Sequence, residues 1–135
     1  MKRILFVFLF PLLIFSQKSD LKFYEVFSKS QNSKVSCYRI PSIITTDKGT
    51  IIAAADERVS SCNDLKSNRD INIVIRTSND EGKSWSSINR LIDYPFGESA
   101  SDPSMIFDKK TKKIYLFYNY MNLEKDKDVY YLKYV

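Results

Sequence analysis

Short apolar runs alternate with polar turn clusters along almost the whole chain. The runs are Lys22–Phe27, Tyr38–Thr45, Thr50–Ala55, Ile71–Thr77, Ser86–Ile92, Pro103–Phe107, Lys113–Tyr120 and Val129–Val135, each rich in Ile, Val, Tyr or Phe. Between them stand clusters such as Asp47-Lys48-Gly49 and Asp80-Glu81-Gly82, which is how short strands and tight turns read in sequence. Outside the N-terminal segment no window sustains an apolar stripe at helical spacing. The predicted fold class is all-β.

Within this pattern lies a weak repeat. Pro41-Ser42-Ile43-Ile44, Asp47-Lys48 and a strand recur as Pro103-Ser104-Met105-Ile106, Asp108-Lys109 and a strand, offset by 62 residues. A recurrence of this length predicts stacked four-stranded units, as in a β-propeller, rather than one sandwich. The first copy holds four expected strands and the second holds three. A unit short of its outer strand leaves an unpaired edge, so the chain alone is expected to be poorly stable or aggregation-prone.

The first residues follow another pattern. Lys2-Arg3, an apolar run Ile4–Phe15 and small Ser16 have the layout of a secretory signal over residues 1–17. The run is too short to span a bilayer of about 30 Å as a helix, so no stable membrane insertion is expected. The expected product is secreted, or periplasmic or cell-surface, with the mature domain over residues 18–135. Losing Lys2 and Arg3 lowers the net charge from +5 to +3. Four of the remaining lysines cluster at Lys109-Lys110 and Lys112-Lys113, a solvated turn by position. A nucleic-acid surface needs more basic residues with interleaved aromatics on one face, so no nucleic-acid partner is expected.

An exported chain meets an oxidising compartment, where Cys37 and Cys62 either pair or remain two thiols near one pocket. Pairing would add roughly 3 kcal/mol on the chain-entropy account. Without histidine the two thiols make a poor zinc site, and no metal or organic cofactor is expected.

Ser78-Asn79-Asp80-Glu81-Gly82-Lys83-Ser84-Trp85 joins two of the expected strands. Ser78 and Asp80 can bond the turn's own backbone, and Gly82 accepts a positive φ without steric cost. Trp85 can then cover the turn. The segment fits the Asp-box pattern, Ser-x-Asp-x-Gly-x-x-Trp, through Ser78, Asp80, Gly82 and Trp85. That pattern marks β-propellers of several functions, and its role is structural.

Tyr38-Arg39-Ile40-Pro41, Gly49-Thr50-Ile51-Ile52-Ala53, Asp56-Glu57-Arg58, Asn63-Asp64, Asn68-Arg69-Asp70-Ile71, the Asp-box and Asp102-Pro103 together carry a resemblance. Over about residues 36–120 the chain resembles the opening of exo-α-sialidases of the Asp-box superfamily. The resemblance implies a six-bladed β-propeller, cut after about two blades, and sialylated glycans as partners. It places Arg39 in a triad of arginines that grips the sialic acid carboxylate, a task suited to the fork of a permanently charged guanidinium. It places Asp64 as the acid/base carboxyl that protonates the leaving oxygen and then deprotonates water. Arg58 falls beside the sugar's 4-hydroxyl, and Asp102 beside the 4-hydroxyl and N-acetyl group. Asp56, Glu57 and Asp70 read as edge or turn residues.

The tyrosine nucleophile of retaining sialidases, its glutamate and the other two arginines would lie beyond residue 135. The chain as it stands is therefore expected to be inactive. Lys22–Phe27 would be the outer strand closing the last blade. The rival readings are a non-catalytic Asp-box propeller that binds glycans or a protein, and a transferase or lyase on the same fold.

Overall fold

The computed structural model of the chain describes residues 21–126 and 128–135. The expected leader, residues 1–17, lies outside the described residues. Among the described residues, seven strands form two antiparallel sheets. The first sheet runs in chain order through β1 (Cys37–Thr45), β2 (Ile51–Arg58), β3 (Ile71–Ser78) and β4 (Asn89–Ile92). The second contains β5 (Glu98–Asp108), β6 (Lys113–Asn122) and β7 (Tyr131–Tyr134). Among the described residues no helix is long and apolar enough to cross a membrane.

The sheets meet where β5 packs against β1, β2 and β3. Side chains alternate across a strand, so β2 sends Ala54, Asp56 and Arg58 toward the second sheet and Glu57 the other way. Ala54, Ile73, Ala100, Leu116 and Tyr118 form the shared core, flanked by Ile75, Ile92, Tyr94, Met105 and Tyr120. Ala54, the one alanine of β2 in this shared core, leaves little bulk between the sheets. A second cluster of Leu65, Ile71 and Met121, with Leu123 against it, lies under the β2–β3 connection.

Two bulges bear directly on the site. In β1 the register slips between Arg39 and Ser42, and in β5 between Ser101 and Ser104. Each slip inserts one residue at an X-Pro step, Ile40-Pro41 and Asp102-Pro103, where proline has no N–H to give the ladder. The residue before each proline is left-handed, with φ of 51° at Ile40 and 60° at Asp102. Such a φ is rare outside glycine, above all for a β-branched side chain. The sequence repeat is thus a structural one, with the same bulge 62 residues apart.

The β3–β4 turn closes on itself. The Ser78 hydroxyl donates to Asp80 (2.8 Å) and accepts from the Gly82 amide (2.9 Å), while Asp80 accepts the Ser84 amide (2.9 Å) and hydroxyl (2.5 Å). Gly82 has φ 84°, and Trp85 lies over the place a Cβ would take there.

Several boundaries differ from the sequence reading. Lys22–Phe27 is not a strand: Phe27 packs on the Tyr38 ring at 5.6 Å and the Val26 carbonyl accepts from Arg76 at 2.5 Å. A strand needs a neighbour to complete its ladder, and side-chain contacts hold this segment instead. Asp56 and Glu57 are neither edge nor turn residues. Both lie in β2, at 0% and 1% exposure, because each has a cationic partner, Arg58 for Asp56 and Arg90 for Glu57. Finally, β5 begins at Glu98 rather than Pro103, since the bulge absorbs the proline without ending the strand.

Candidate active site

At the bulged ends of both sheets lies an open cleft of about 310 Å³, lined by Arg39, Ile40, Asp64, Leu65, Ser101, Asp102 and Tyr130. Three of the four candidate site residues, Arg39, Asp64 and Asp102, come together here from β1, the β2–β3 connection and β5. Arg58, the fourth, is buried beneath them at 1% exposure.

Arg39 projects from β1 just before its bulge, with its side chain 46% exposed. Its Nη1 donates to the Cys62 carbonyl (3.2 Å) and to Asp64 Oδ1 (3.4 Å). Asp64 stands immediately before the 3-10 turn Leu65–Ser67, with its side chain 80% exposed. Leu65 anchors that turn in the second apolar cluster. Asn68, fully buried, donates to the Ser61 carbonyl (2.7 Å) and shapes the same connection.

Cys37 and Cys62 are joined in a disulfide with Cα atoms 5.7 Å apart. The bridge ties the first residue of β1 to the segment that carries Asp64.

Arg58 divides its fork. Nη1 donates to Asp64 Oδ1 (2.6 Å), the Asn63 carbonyl (2.8 Å) and the Cys62 carbonyl (3.0 Å). Nε and Nη2 hold Asp56 Oδ2 at 3.3 and 2.9 Å. In this structure Arg58 therefore faces two carboxylates and the connection's backbone rather than the open cleft. Its hydrogen bond and charge hold the Asp64 carboxyl below the usual carboxylate range, with a smaller contribution from Arg39. Burial would lower the Arg58 pKa, but its bonds to Asp64 and Asp56 prevail and raise it.

Asp102 is exposed on the β5 bulge, and its carboxylate accepts from the Asn119 side chain at 2.9 Å. Its amide donates to Asp56 Oδ1 (2.9 Å), and the Ser101 hydroxyl donates to Asp56 Oδ2 (2.6 Å). The sequence reading takes Asp56 for an edge or turn residue and does not single out Ser101. The available signal was a charged triplet, Asp56-Glu57-Arg58, following directly on the apolar run Ile51–Ala55.

The cleft therefore offers an exposed carboxyl, an arginine whose Nε and Nη2 have no partner among the described residues, and a second carboxylate across the opening. Such a set suits an anionic, polyhydroxylated ligand: the guanidinium for a carboxylate, the carboxylates for hydroxyls and for proton transfer.

The architecture is that of an all-β chain with sialidases and trans-sialidases among its neighbours of known structure. The structure superposes on the leech intramolecular trans-sialidase complexed with 2,7-anhydro-Neu5Ac with a TM-score of 0.66 and 28% identity, covering 76% of this chain and 18% of that one. It matches the intramolecular trans-sialidase of Ruminococcus gnavus with a TM-score of 0.64 and 30% identity, over 72% of this chain and 24% of that one.

In sequence the chain is 38% identical over 105 residues to the anhydrosialidase of Macrobdella decora, covering 62% of this chain and 14% of that protein. It is 31% identical over 86 residues to a sialidase of Bacteroides fragilis, 58% of this chain and 15% of that protein. No protein-family model matches the chain. Over these stretches the chain is similar to these sialidases, and it spans about one seventh of the length of these curated relatives.

Proposed function

We propose that this chain supplies the front part of an exo-α-sialidase, a glycoside hydrolase that removes terminal α-linked sialic acid from glycoconjugates by a retaining mechanism. The observation that carries the reading is the convergence of Arg39, Asp64 and Asp102 on one cleft, with Asp64 at 2.6 Å from buried Arg58. In this reading Arg39 grips the sugar carboxylate. Asp64 protonates the leaving oxygen and later deprotonates the incoming water. Asp102 and the Arg58 region line the pocket for the 4-hydroxyl and N-acetyl group.

Asp64 is ionised in the open cleft, as the second step requires. A sugar that covers its exposed carboxyl removes water from it and pushes its pKa upward, which favours the acid form for the first step. The nucleophile and the remaining carboxylate grip come from sequence outside this chain. The two sheets are then the first blades of a six-bladed propeller, exported behind the leader of residues 1–17, with the mature part starting at residue 18.

The test is release of a fluorogenic sialoside's leaving group by the full-length gene product. Asp64→Ala is expected to cost about 10²–10⁴ in turnover, and Arg39→Ala to act mainly through KM. Unchanged turnover in both variants would sink the assignment of Asp64 and Arg39, and no release by the wild type would favour a non-catalytic glycan- or protein-binding propeller.

A second reading is favoured by the likeness to two intramolecular trans-sialidases. One of them is complexed with 2,7-anhydro-Neu5Ac, and in this reading the sugar released here closes on itself instead of taking up water. The mass of the product, lighter than free sialic acid by one water, decides between the two.

A further inference from the structure

Asp56 is fully buried in β2, and the chemistry proposed above does not use it. Its carboxylate receives four hydrogen bonds: the Ser101 hydroxyl at 2.6 Å, Arg58 Nη2 at 2.9 Å and Nε at 3.3 Å, and the Asp102 amide at 2.9 Å. All four are donors to it, so the ionised form satisfies the arrangement. These partners span both sheets. Arg58 continues to Asp64 and the carbonyls of Cys62 and Asn63. The Asp102 amide belongs to the left-handed residue of the β5 bulge.

We propose that Asp56 is a positioning residue: through Arg58 it sets the place and charge balance of Asp64, and through the Asp102 amide and Ser101 it fixes the bulge on the opposite wall of the cleft. This rests on the reading of Asp64 as the acid/base group.

The electrostatic consequence follows from the charges around Asp64. Arg58 reaches it from β2 and Arg39 from β1; Asp102 lies across the cleft on β5, with the Tyr130 side chain at its rim. Lys66, two residues on, is paired with Asp128. With Asp56 ionised, the Arg58 charge is shared between two carboxylates. Replacing Asp56 by asparagine leaves that charge to Asp64 alone, which strengthens its hold on the ionised form of Asp64. Burial raises the proton affinity of Asp56 itself, opposed by Ser101, Arg58 and the Asp102 amide.

The test is the pH profile of kcat/KM for a fluorogenic sialoside, comparing Asp56→Asn with the wild-type full-length gene product. The alkaline limb, where the acid form of Asp64 is lost, is expected to move down by on the order of one pH unit. A merely structural Asp56 would reduce the amount of active enzyme and leave the limb in place, and that result overturns the proposal.

Should Asp56→Asn not fold, Ser101→Ala removes a single hydroxyl that holds Asp56. Losing that donor weakens the ionised form of Asp56, so the limb is expected to move in the same direction as in Asp56→Asn by a smaller amount; an unmoved limb in this variant counts against the proposal. The carboxyl carbon of ¹³C-labelled Asp64, titrated in both proteins, reads the same coupling without turnover. If the wild type releases no sialic acid yet this titration falls in Asp56→Asn, the functional reading fails and the positioning stands. If turnover is present and the titration is the same in both proteins, the positioning fails alone.

Discussion

The Cys37–Cys62 bridge makes a prediction whose size can be worked from its place in the chain. The bridge closes a separation of 25 residues, and the loss of that closure frees the unfolded chain. On the chain-entropy account a loop of this length corresponds to about 3.5 kcal/mol at 25 °C. With a urea dependence of about 1–3 kcal/mol per molar, reduction should lower the unfolding midpoint by about 1.2–3.5 M. The effect also reaches the cleft, because the Cys62 carbonyl sits between Arg39 Nη1 (3.2 Å) and Arg58 Nη1 (3.0 Å). Without the bridge, the segment before Asp64 is held by these bonds and by Asn68 on the Ser61 carbonyl. The assay is urea unfolding followed by circular dichroism, for oxidised protein, dithiothreitol-reduced protein and the Cys37→Ser, Cys62→Ser double variant. Mass after alkylation counts the thiols in each. Coincident midpoints for the oxidised and reduced proteins, or two free thiols before reduction, would refute the reasoning.

Two more predictions concern the turn and the core. Asp80 is held at about 2 by bonds from the Ser84 hydroxyl and amide and the Ser78 hydroxyl, against an ordinary value of 3.8. Because the folded pKa lies below the unfolded one, this contribution to stability is complete above about pH 3.8 and is lost as the pH falls through about 2. Emission from Trp85, the chain's only tryptophan, should show that acid step, and Asp80→Asn should lack it; the same step in the variant would assign it elsewhere. Ile73→Ala, in the core shared by both sheets, should cost about 2–5 kcal/mol in thermal or urea melts. A cost under about 1 kcal/mol would mean that the sheets do not depend on that contact.

Strands and turns were legible where their causes are local. The β3–β4 turn is written in Ser78, Asp80, Gly82 and Trp85, because those residues bond and cover one another within a few positions. Lys22–Phe27 has the same apolar texture as a strand, yet nothing local supplies the neighbouring ladder that makes one. The start of β5 was hidden for the opposite reason: Ser99, Ser101, Asp102 and Pro103 read as loop chemistry, and only pairing with β6 makes them strand. Arg39 and Asp64 were accessible through spacing and resemblance. The burial of Arg58 and the place of Asp56 were not, because Asp56 finds Ser101 and the Asp102 amide 45 and 46 residues away. A charge in an apolar run looks like a strand end until its distant partner is known.

The two bulges explain how such a cleft can be built from sheet rather than from long mobile loops. A regular strand turns alternate side chains to fixed faces, so a ligand at the end of a sheet would meet only what the pleat allows. One extra residue re-aims the side chains next to it and sharpens the local twist. At β1 this happens beside Arg39, and at β5 at Asp102 itself, each time at an X-Pro step with a left-handed residue. Holding two such residues costs on the order of 1–3 kcal/mol each, and the surroundings must over-determine them. At β5 the determinant is visible: Asp56 takes the amide of the strained residue and the hydroxyl before it, while Arg58 fixes Asp56 from behind. A buried ion pair is weak evidence for stability by itself. Here its bonds go to the strained bulge and to the carboxyl-bearing connection, which is where a precise placement of side chains would be needed.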